Sequence, residues 1–533
     1  MTERREQTIL SLEAGSEWRF ELEADEEVAV RVSGRLWLEY VGWYPSNSLG
    51  HARVQTPEPV YINSEELPPS TWYPLHRHLK GSLYFSTSSQ IEVTSLPTSQ
   101  YTSTSTTQPS LISLHLALER IRILSKRRLF SSHPNEGTTR GPRVMVVGPS
   151  SSGKSTIVKN LVNLALGSGM NWRVGVAGLD PTSPSNLIPG SLSLSTPTHP
   201  LPTHHLAHPL GSPPTSLPSS SLAADVSTLG WWYGSTEPSN KGAEIWRKLV
   251  DQMGLRWQER CEKDPMAMAS GLIVDTSSAF TNATLGTKKD DPKARYTLVE
   301  HAVHAFGIDI LVIVGPEKLH LALAKLFPEL QVIRLPQSGG VVDLDDAYIQ
   351  TVHSSQIRSY FYGEPPFSLD LSSASKITAR ENSLTPYSFQ IGWETLKIYR
   401  VGEENAAPSS ALPLGSSRIL SPTRLTRVDP GGPAHVVRLL NTVLAVVNLV
   451  PEDKIVSDKE IVKGEAKEEI GDEDEDDEVP YKEEIGWREV LGFIVITAID
   501  AQRKKYTVLS PSPGKLPSTV ALAGNIEWVD SGI

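Results

Sequence analysis

The chain reads as an α/β protein: a central parallel-sheet domain with β-rich regions before and after it. Three observations point there. Short, predominantly apolar runs at Val144–Val147, Leu272–Val274 and Ile308–Val314 alternate with helical stretches, as in a sheet covered by helices on both faces. The first of these runs leads straight into Gly148-Pro-Ser-Ser-Ser-Gly153-Lys154-Ser155, which has the spacing G-x-x-x-x-G-K-[ST] of a phosphate loop. On both sides of this region the pattern shortens to alternating runs bounded by turn residues, which is the pattern of antiparallel strands.

Taken in order, Thr8–Leu12, Trp18–Leu22, Val28–Val32, Leu36–Val41, Leu83–Phe85 and Gln90–Val93 are expected strands of a small sandwich or barrel. Gly42–Pro74 breaks this pattern with Pro, Ser and Tyr and is expected to be an insert or long loop. Ser95–Ser110 is nearly all Ser, Thr, Gln and Pro, the composition of a linker. Leu111–Leu129 turns helical, with Leu114, Leu118, Ile121 and Leu124 on one face. In the central region, Thr156–Leu166 and Tyr296–Phe306 are expected helices and Arg173–Leu179 a further buried strand. Residues 192–221 are rich in Pro, Ser, Thr and His and are expected to be a surface insert. Their His199, His204, His205 and His208 lack a nearby Cys, so a loop is preferred over a metal site. From about Ile391 short strands return, including Gly492–Ala498 and Tyr506–Ser510, split by an acidic insert over 457–485. Its Glu465–Glu478 tract reads as a solvated segment, with an acidic docking tail as the alternative.

With 533 residues the chain has room for about three domains. No stretch approaches the roughly 18 uninterrupted apolar residues that suggest a membrane span, and the charged start Met1-Thr-Glu-Arg-Arg-Glu is not that of a signal peptide. The single cysteine, Cys261, excludes an intrachain disulfide and suits a reducing compartment. A net charge of −11 disfavours indiscriminate binding to nucleic-acid backbones while leaving room for a local RNA groove.

The phosphate loop carries the clearest chemistry. Its glycines let backbone amides close around phosphate oxygens, and the following helix N-terminus favours an anion. Gly148, Ser151, Ser152, Gly153, Lys154, Ser155 and Thr156 are the candidate nucleotide contacts. Lys154 places a cation at the β- and γ-phosphates, and the Ser155 hydroxyl is a Mg²⁺ ligand candidate. Two aspartates end strands nearby: Asp180 after Arg173–Leu179, and Asp275 after Gly271–Val274. Either can hold a metal's water shell, and spacing alone does not choose between them. No Asn-Lys-x-Asp guanine signature stands in the expected place.

Arg-Gly-Pro-Arg-Val-Met-Val-Val-Gly-Pro (140–149) with the phosphate loop resembles the polynucleotide 5′-hydroxyl kinase family. Within it, the closest branch is the ATP-binding subunits of the fungal pre-mRNA cleavage and polyadenylation factor, cleavage factor IA. Gly15-Ser-Glu-Trp-Arg-Phe-Glu21, Leu179-Asp-Pro181, Gly234-Ser-Thr236, Ser338-Gly-Gly-Val-Val342, Arg358-Ser-Tyr-Phe-Tyr-Gly363 and Tyr506-Thr-Val-Leu-Ser-Pro511 extend the likeness over the whole chain. The resemblance implies an N-terminal β-sandwich over 1–110, a central P-loop NTPase domain over 111–390 and a small C-terminal α/β domain over 391–533. It implies ATP with Mg²⁺ as ligand, Glu17 and Lys80 on the base side, and Asp180 as metal or base carboxylate, leaving Asp275 a structural role. It also implies a nuclear protein that assembles with the scaffold subunit of the same factor and acts on pre-mRNA, directly or through the complex.

Active relatives close a lid with spaced arginines over the γ-phosphate. Here the corresponding segment, Tyr348–Arg358, holds Ile349, Gln350 and His353 at those places. Ser183 stands where active animal relatives carry Gln, three residues after the aspartate. Losing an arginine that stabilises the transferred charge costs about 10³–10⁵ in rate. A nucleotide-holding subunit is therefore expected, with an active RNA 5′-hydroxyl kinase as the alternative.

Overall fold

In a computed structural model, the structure describes residues 8–23, 26, 28–33, 59–67, 72–75, 78–130, 140–183, 187–198, 200–201, 228–288, 291–363, 386–402, 422–432, 435–455, 480–511 and 514–530. The N-terminal strands are β1 (Thr8–Leu12), β2 (Ser16–Glu21), β3 (Val28–Ser33), β4 (Val60–Ile62), β5 (Glu65–Glu66), β6 (Tyr73–Leu75), β7 (Lys80–Phe85), β8 (Ser89–Val93) and β9 (Ser99–Ser103). They form two sheets, β1-β8-β3-β6 and β5-β4-β7-β2-β9. Trp18, Phe20, Val30, Val32, Val60, Phe85 and Ile91 from both sheets share one core, so the region is a sandwich.

Two expectations are corrected here. Part of 42–74 is not an insert, because β4, β5 and β6 belong to the sheets. They are two or three residues long, too short to show a period, and Pro74 sits on an edge strand, where a missing N–H is tolerated. Residues 42–58, and the expected strand Leu36–Val41, lie outside the described residues. Nor is 95–110 only a linker. β9 pairs along β2 from Glu17↔Ser103 to Glu21↔Ser99, an edge strand held by backbone bonds rather than by burial of its Ser, Gln and Thr side chains.

The helix α1 (Gln108–Leu129) follows, then β10 (Arg143–Val147), α2 (Lys154–Gly167), β11 (Gly175–Leu179), β12 (Ser191–Ser195), β13 (Thr228–Trp232), α3 (Ala243–Lys263), α4 (Pro265–Ser270), β14 (Leu272–Thr276), α5 (Thr297–Phe306), β15 (Ile310–Val314), α6 (Glu317–Leu326), β16 (Gln331–Leu335) and α7 (Asp346–Tyr362). The order β16-β15-β10-β14-β11 is parallel throughout. Alternate residues of β10 enter different cores. Met145 and Val147 pack with α3 and α5, whereas Val144 and Val146 pack with α1 and α2. This is why the strand reads as continuously apolar. On α1 the buried face runs through Leu111, Leu114 and Leu118 to Arg122, leaving Leu124 exposed, contrary to the expected stripe.

β12 corrects the 192–221 insert at its start. Ser-Leu-Ser-Leu-Ser is wholly buried and pairs with β11 and β13. The four histidines lie outside the described residues, and no metal-ligand cluster occurs among the described ones.

The C-terminal region contains β17 (Tyr387–Gly392), β18 (Lys397–Val401), β19 (Leu425–Arg427), α8 (His435–Leu439), β20 (Thr442–Val447), β21 (Glu489–Asp500), β22 (Lys505–Ser510) and β23 (Val520–Glu527). It continues the central sheet through β13 and β21, which pair at Gly230↔Val490 and Trp231↔Glu489. The expected insert over 457–485 ends sooner, since Tyr481 bridges Lys454 and Ile485 is fully buried. The Glu465–Glu478 tract lies outside the described residues.

Candidate functional site

The phosphate loop joins β10 to α2 at the carboxyl ends of the parallel strands, where open α/β sheets take ligands. Gly148 is required by close packing: a Cβ there would stand 2.8 Å from both the Val314 carbonyl oxygen and Ser152 Oγ. Gly153 has φ +84°, and Ser151 also takes a left-handed conformation, at φ 49°. The Ser152 hydroxyl donates to the Pro149 carbonyl at 2.9 Å, and Lys154 Nζ donates to the same oxygen at 2.7 Å. The Lys154 ammonium therefore closes the loop on itself. Burial lowers its pKa, and Asp275 and then Asp180 oppose that shift. Ser155 is half-buried beside it, and Thr156 is exposed.

Both aspartates come to this loop. β14 lies between β10 and β11, with Asp275 in register with Val146 on one side and Gly178 on the other. Asp275 is 1% exposed, and neither of its oxygens has a hydrogen-bond partner. Burial pushes its pKa up to about 6. The nearby Ser155 hydroxyl favours the charged form without closing a well-shaped hydrogen bond, Asp180 adds repulsion, and Lys154 adds attraction. Asp180 follows β11 and accepts from the Thr182 amide at 3.0 Å. Burial raises its pKa as well, against the pull of Lys154. A hydroxyl and two carboxylates, one of them without a hydrogen-bond partner, are an oxygen donor set suited to a hard cation, and the Lys154 ammonium beside them suits an anion. Asp275 thus stands at the loop together with Asp180, the pair of candidates that the residues offered, although the resemblance left it a structural role. Its signal was present: an aspartate ending the apolar strand that neighbours the loop strand.

Glu17 and Lys80 do not share one contact. In the β2–β7 ladder Lys80 pairs with Glu21 and Glu17 with Tyr84, four steps or about 13 Å apart. Glu17 is buried, takes both Nε and Nη2 of Arg19 at 2.9 and 2.8 Å, and accepts from the Thr106 hydroxyl. Lys80 pairs with Glu21 at 2.9 Å and lies 5.0 Å from the centroid of the Tyr348 ring.

The lid segment is α7, capped by Asp345, whose carboxylate accepts from the Tyr348 amide. Its side chains are tied to three regions. The Tyr348 hydroxyl donates to the His78 carbonyl at 3.1 Å. His353 Nε2 is 2.6 Å from the Thr182 carbonyl, which fixes that nitrogen as the N–H donor, and burial lowers the imidazole pKa. Arg358 pairs with Asp530 at 2.9 Å and stacks on Tyr362, which also bonds Asp530. The Tyr360 hydroxyl accepts from the Phe493 amide at 2.9 Å. A cleft of about 440 Å³ opens between α7, at Gln350, His353, Ser354 and Ile357, and the segment Asn525–Val529. Its lining includes Glu527 and, among the described residues, no Lys or Arg.

Comparison with known proteins fits this geometry. Residues 55–125 match the N-terminal beta-sandwich domain of polyadenylation factor, 148–363 the mRNA cleavage and polyadenylation factor CLP1 P-loop, and 384–530 Pre-mRNA cleavage complex II protein Clp1. A protein of Cryptococcus neoformans var. neoformans, described as mRNA cleavage and polyadenylation factor CLP1, is 56% identical over 573 residues, covering 99% of this chain and 98% of the relative. The chain belongs to the CLP1 family. A Laccaria bicolor protein of the same description is 32% identical over 81% of this chain and 84% of its own length. A Danio rerio relative, described as Polyribonucleotide 5'-hydroxyl-kinase Clp1, is 28% identical over 81% of this chain and 78% of its own. Among solved structures, a wild-type Clp1p–Pcf11p complex superposes with a TM-score of 0.68 at 21% identity over the full length of both chains, a likeness of fold.

Proposed function

We propose that this chain is the ATP-holding, catalytically silent subunit of a nuclear pre-mRNA cleavage factor, required for cleavage in polyadenylation-dependent mRNA 3′-end formation. The observation that carries it is α7. Its one arginine is paired with Asp530, and its histidine is tied to the Thr182 carbonyl, so no lid guanidinium is aimed at the phosphate loop. Transfer of a γ-phosphoryl group depends on positioning and on charge placed against the moving oxygens. The cleft beside the Asp180–Thr182 turn also carries a carboxylate and, among the described residues, no lining cation, a poor surface for an RNA phosphate.

The cradle is otherwise complete. The amides of Gly148–Ser155 face the phosphates, and Lys154 exchanges its Pro149 contact for phosphate oxygens. Ser155 supplies a hydroxyl to Mg²⁺, with Asp275 and Asp180 holding its water shell. When bound, Mg²⁺ neutralises the β- and γ-phosphate charge. Glu17 stands on the base side. ATP at a thousandfold over its dissociation constant adds about 4 kcal/mol to folded-state stability, enough to keep the N-terminal and central domains as one surface. The partner that reads this surface is the scaffold subunit of the same factor, a reading supported by the likeness of fold to a Clp1p solved in complex with Pcf11p.

The tests are direct. Purified protein incubated with γ-labelled ATP and a 5′-hydroxyl RNA should leave the RNA unlabelled and the ATP intact. Labelled RNA would instead establish the kinase named for the Danio rerio relative. Lys154→Ala should lose the ATP-dependent rise in melting temperature and weaken capture of the scaffold subunit.

A further inference from the structure

The loop between β16 and α7 belongs neither to the phosphate cradle nor to the lid helix, yet it touches both sides of the nucleotide site. Its first half meets the N-terminal domain. A Cβ built on Gly340 would stand 2.8 Å from Arg19 Cδ and Nε, and one on Gly339 would stand 3.4 Å from Arg19 Nη1. The Arg19 side chain therefore lies flat against bare backbone. The second half of the loop meets the cradle. Val341 Cγ2 is 3.5 Å from the Cβ position of Gly153, and the Leu344 amide donates to Ser151 Oγ at 3.3 Å. One short strap thus spans from β2 to the two left-handed residues of the phosphate loop.

Arg19 has little freedom to move. It is 6% exposed, and besides its two bonds to Glu17 it donates from Nη2 to the Ser105 carbonyl at 2.5 Å and from Nη1 to the Tyr101 hydroxyl at 3.4 Å. A planar guanidinium held on one edge by a carboxylate and a carbonyl presents its remaining face at a set angle, which a lysine cannot reproduce. The glycines are what let that face approach. Gly340 has no left-handed φ, so the absence of a Cβ, rather than backbone freedom, is the property used there.

We propose that Arg19 is a positioning residue that couples the N-terminal domain to nucleotide retention. Through Glu17 it orders the base side, and through Gly339–Gly340 it sets the Val341–Leu344 strap against the Ser151–Gly153 turn. The inference rests on the reading that a nucleotide occupies this cradle. Nucleotide leaves when the strap lifts from Arg19. By reciprocity, a seated nucleotide holds the N-terminal domain against the central one.

The experiment measures release of a fluorescent ATP analogue from the full-length chain, chased with unlabelled ATP, alongside melting without nucleotide. Gly340→Ala removes no hydrogen-bonding group of Arg19 and sets a methyl between the strap and that side chain, and should speed release about tenfold or more with little change in nucleotide-free melting. Arg19→Lys should speed release too. Because it leaves Glu17 less well paired, it can also weaken the fold, so Gly340→Ala is the deciding variant. Ser151→Ala, which cuts the strap from the cradle side, should shift release in the same direction. A merely structural Arg19 would lower melting equally with and without ATP and leave the release rate alone. If Lys154→Ala abolishes retention while Gly340→Ala and Arg19→Lys release at the parental rate, the coupling is wrong and the ATP-holding function stands. If the parent retains no more nucleotide than Lys154→Ala, both are overturned.

Discussion

Asp275 is a buried carboxylate with no hydrogen-bond partner for either oxygen. Leaving such a group unsatisfied costs about 1–3 kcal/mol or more when it is charged, and a fold tolerates that where a ligand completes the site. Two effects of opposite sign should follow in Asp275→Asn. Nucleotide-free protein should melt at the parental temperature or above it, because a buried charge has gone. The additional stabilisation by Mg²⁺ over ATP alone should largely disappear. Melting curves with and without ATP, each in EDTA and in Mg²⁺, separate the two, and an undiminished Mg²⁺-dependent gain would remove Asp275 from the metal site. The same scale shows what residue patterns can reveal. Lys154 and Ser155 were legible because the loop's spacing dictates their places. Asp180 and Asp275 were legible only as a pair of candidates, since choosing between them needs the strand order β10-β14-β11, which is a long-range property. The Arg19–Gly340 contact was hidden for the same reason: an alternating strand puts Glu17 and Arg19 on one face and does not show what that face meets.

Among the elements, α7 is the one on whose contacts the proposed function rests. Its ties differ in kind. The Tyr360 hydroxyl is buried against the Phe493 amide, whereas the Arg358–Asp530 pair is about one-third exposed on each side. Tyr360→Phe leaves a buried amide without its acceptor and should cost about 1–3 kcal/mol. Arg358→Ala should cost under about 1 kcal/mol. Urea unfolding measures both, and neither change should alter ATP affinity if the helix is a strut rather than a catalytic lid. A large loss of nucleotide binding in Arg358→Ala would contradict that role. Elements were legible where burial was two-sided or strictly periodic, as in β10, β14, β15 and α5. They were missed where pairing, not burial pattern, makes the strand: β9 with Ser-Gln-Tyr-Thr-Ser at a sheet edge, β4 and β6 with three residues each, and β12, whose buried serines read as a polar loop.

At the scale of the molecule, the three regions are joined in two different ways. The central and C-terminal regions share one sheet through β13 and β21, reinforced by the Arg256–Glu489 pair. The N-terminal sandwich keeps its own core and meets the central domain through polar contacts. The β4–β5 turn lies on α2: Ser64 Oγ donates to Asn160 at 2.5 Å, and Asn163 Nδ2 donates to the Asn63 carbonyl at 3.0 Å. Beside them Lys159 is 2% exposed and faces Glu65, which also accepts from the Tyr73 hydroxyl at 3.0 Å. Burial pulls the Lys159 pKa down from 10.5 to about 7, with Glu65 acting against the shift. Between those two values the unfolded chain binds more protons at this site than the folded one, so folded-state stability rises with pH across that window. Below about pH 7 the cost of the buried cation is fully present. As pH climbs toward 10, the folded lysine is already neutral and the cost fades. The seam between the sandwich and α2 should therefore tighten from pH 7 to pH 9. Resistance of that seam to limited proteolysis, and the melting temperature of nucleotide-free protein, should both rise over the interval. Lys159→Met, which keeps the length of the side chain and removes its titration, should flatten the rise. A parental profile that is already flat, or a slope that survives in Lys159→Met, would place the control of domain docking elsewhere than in this pair.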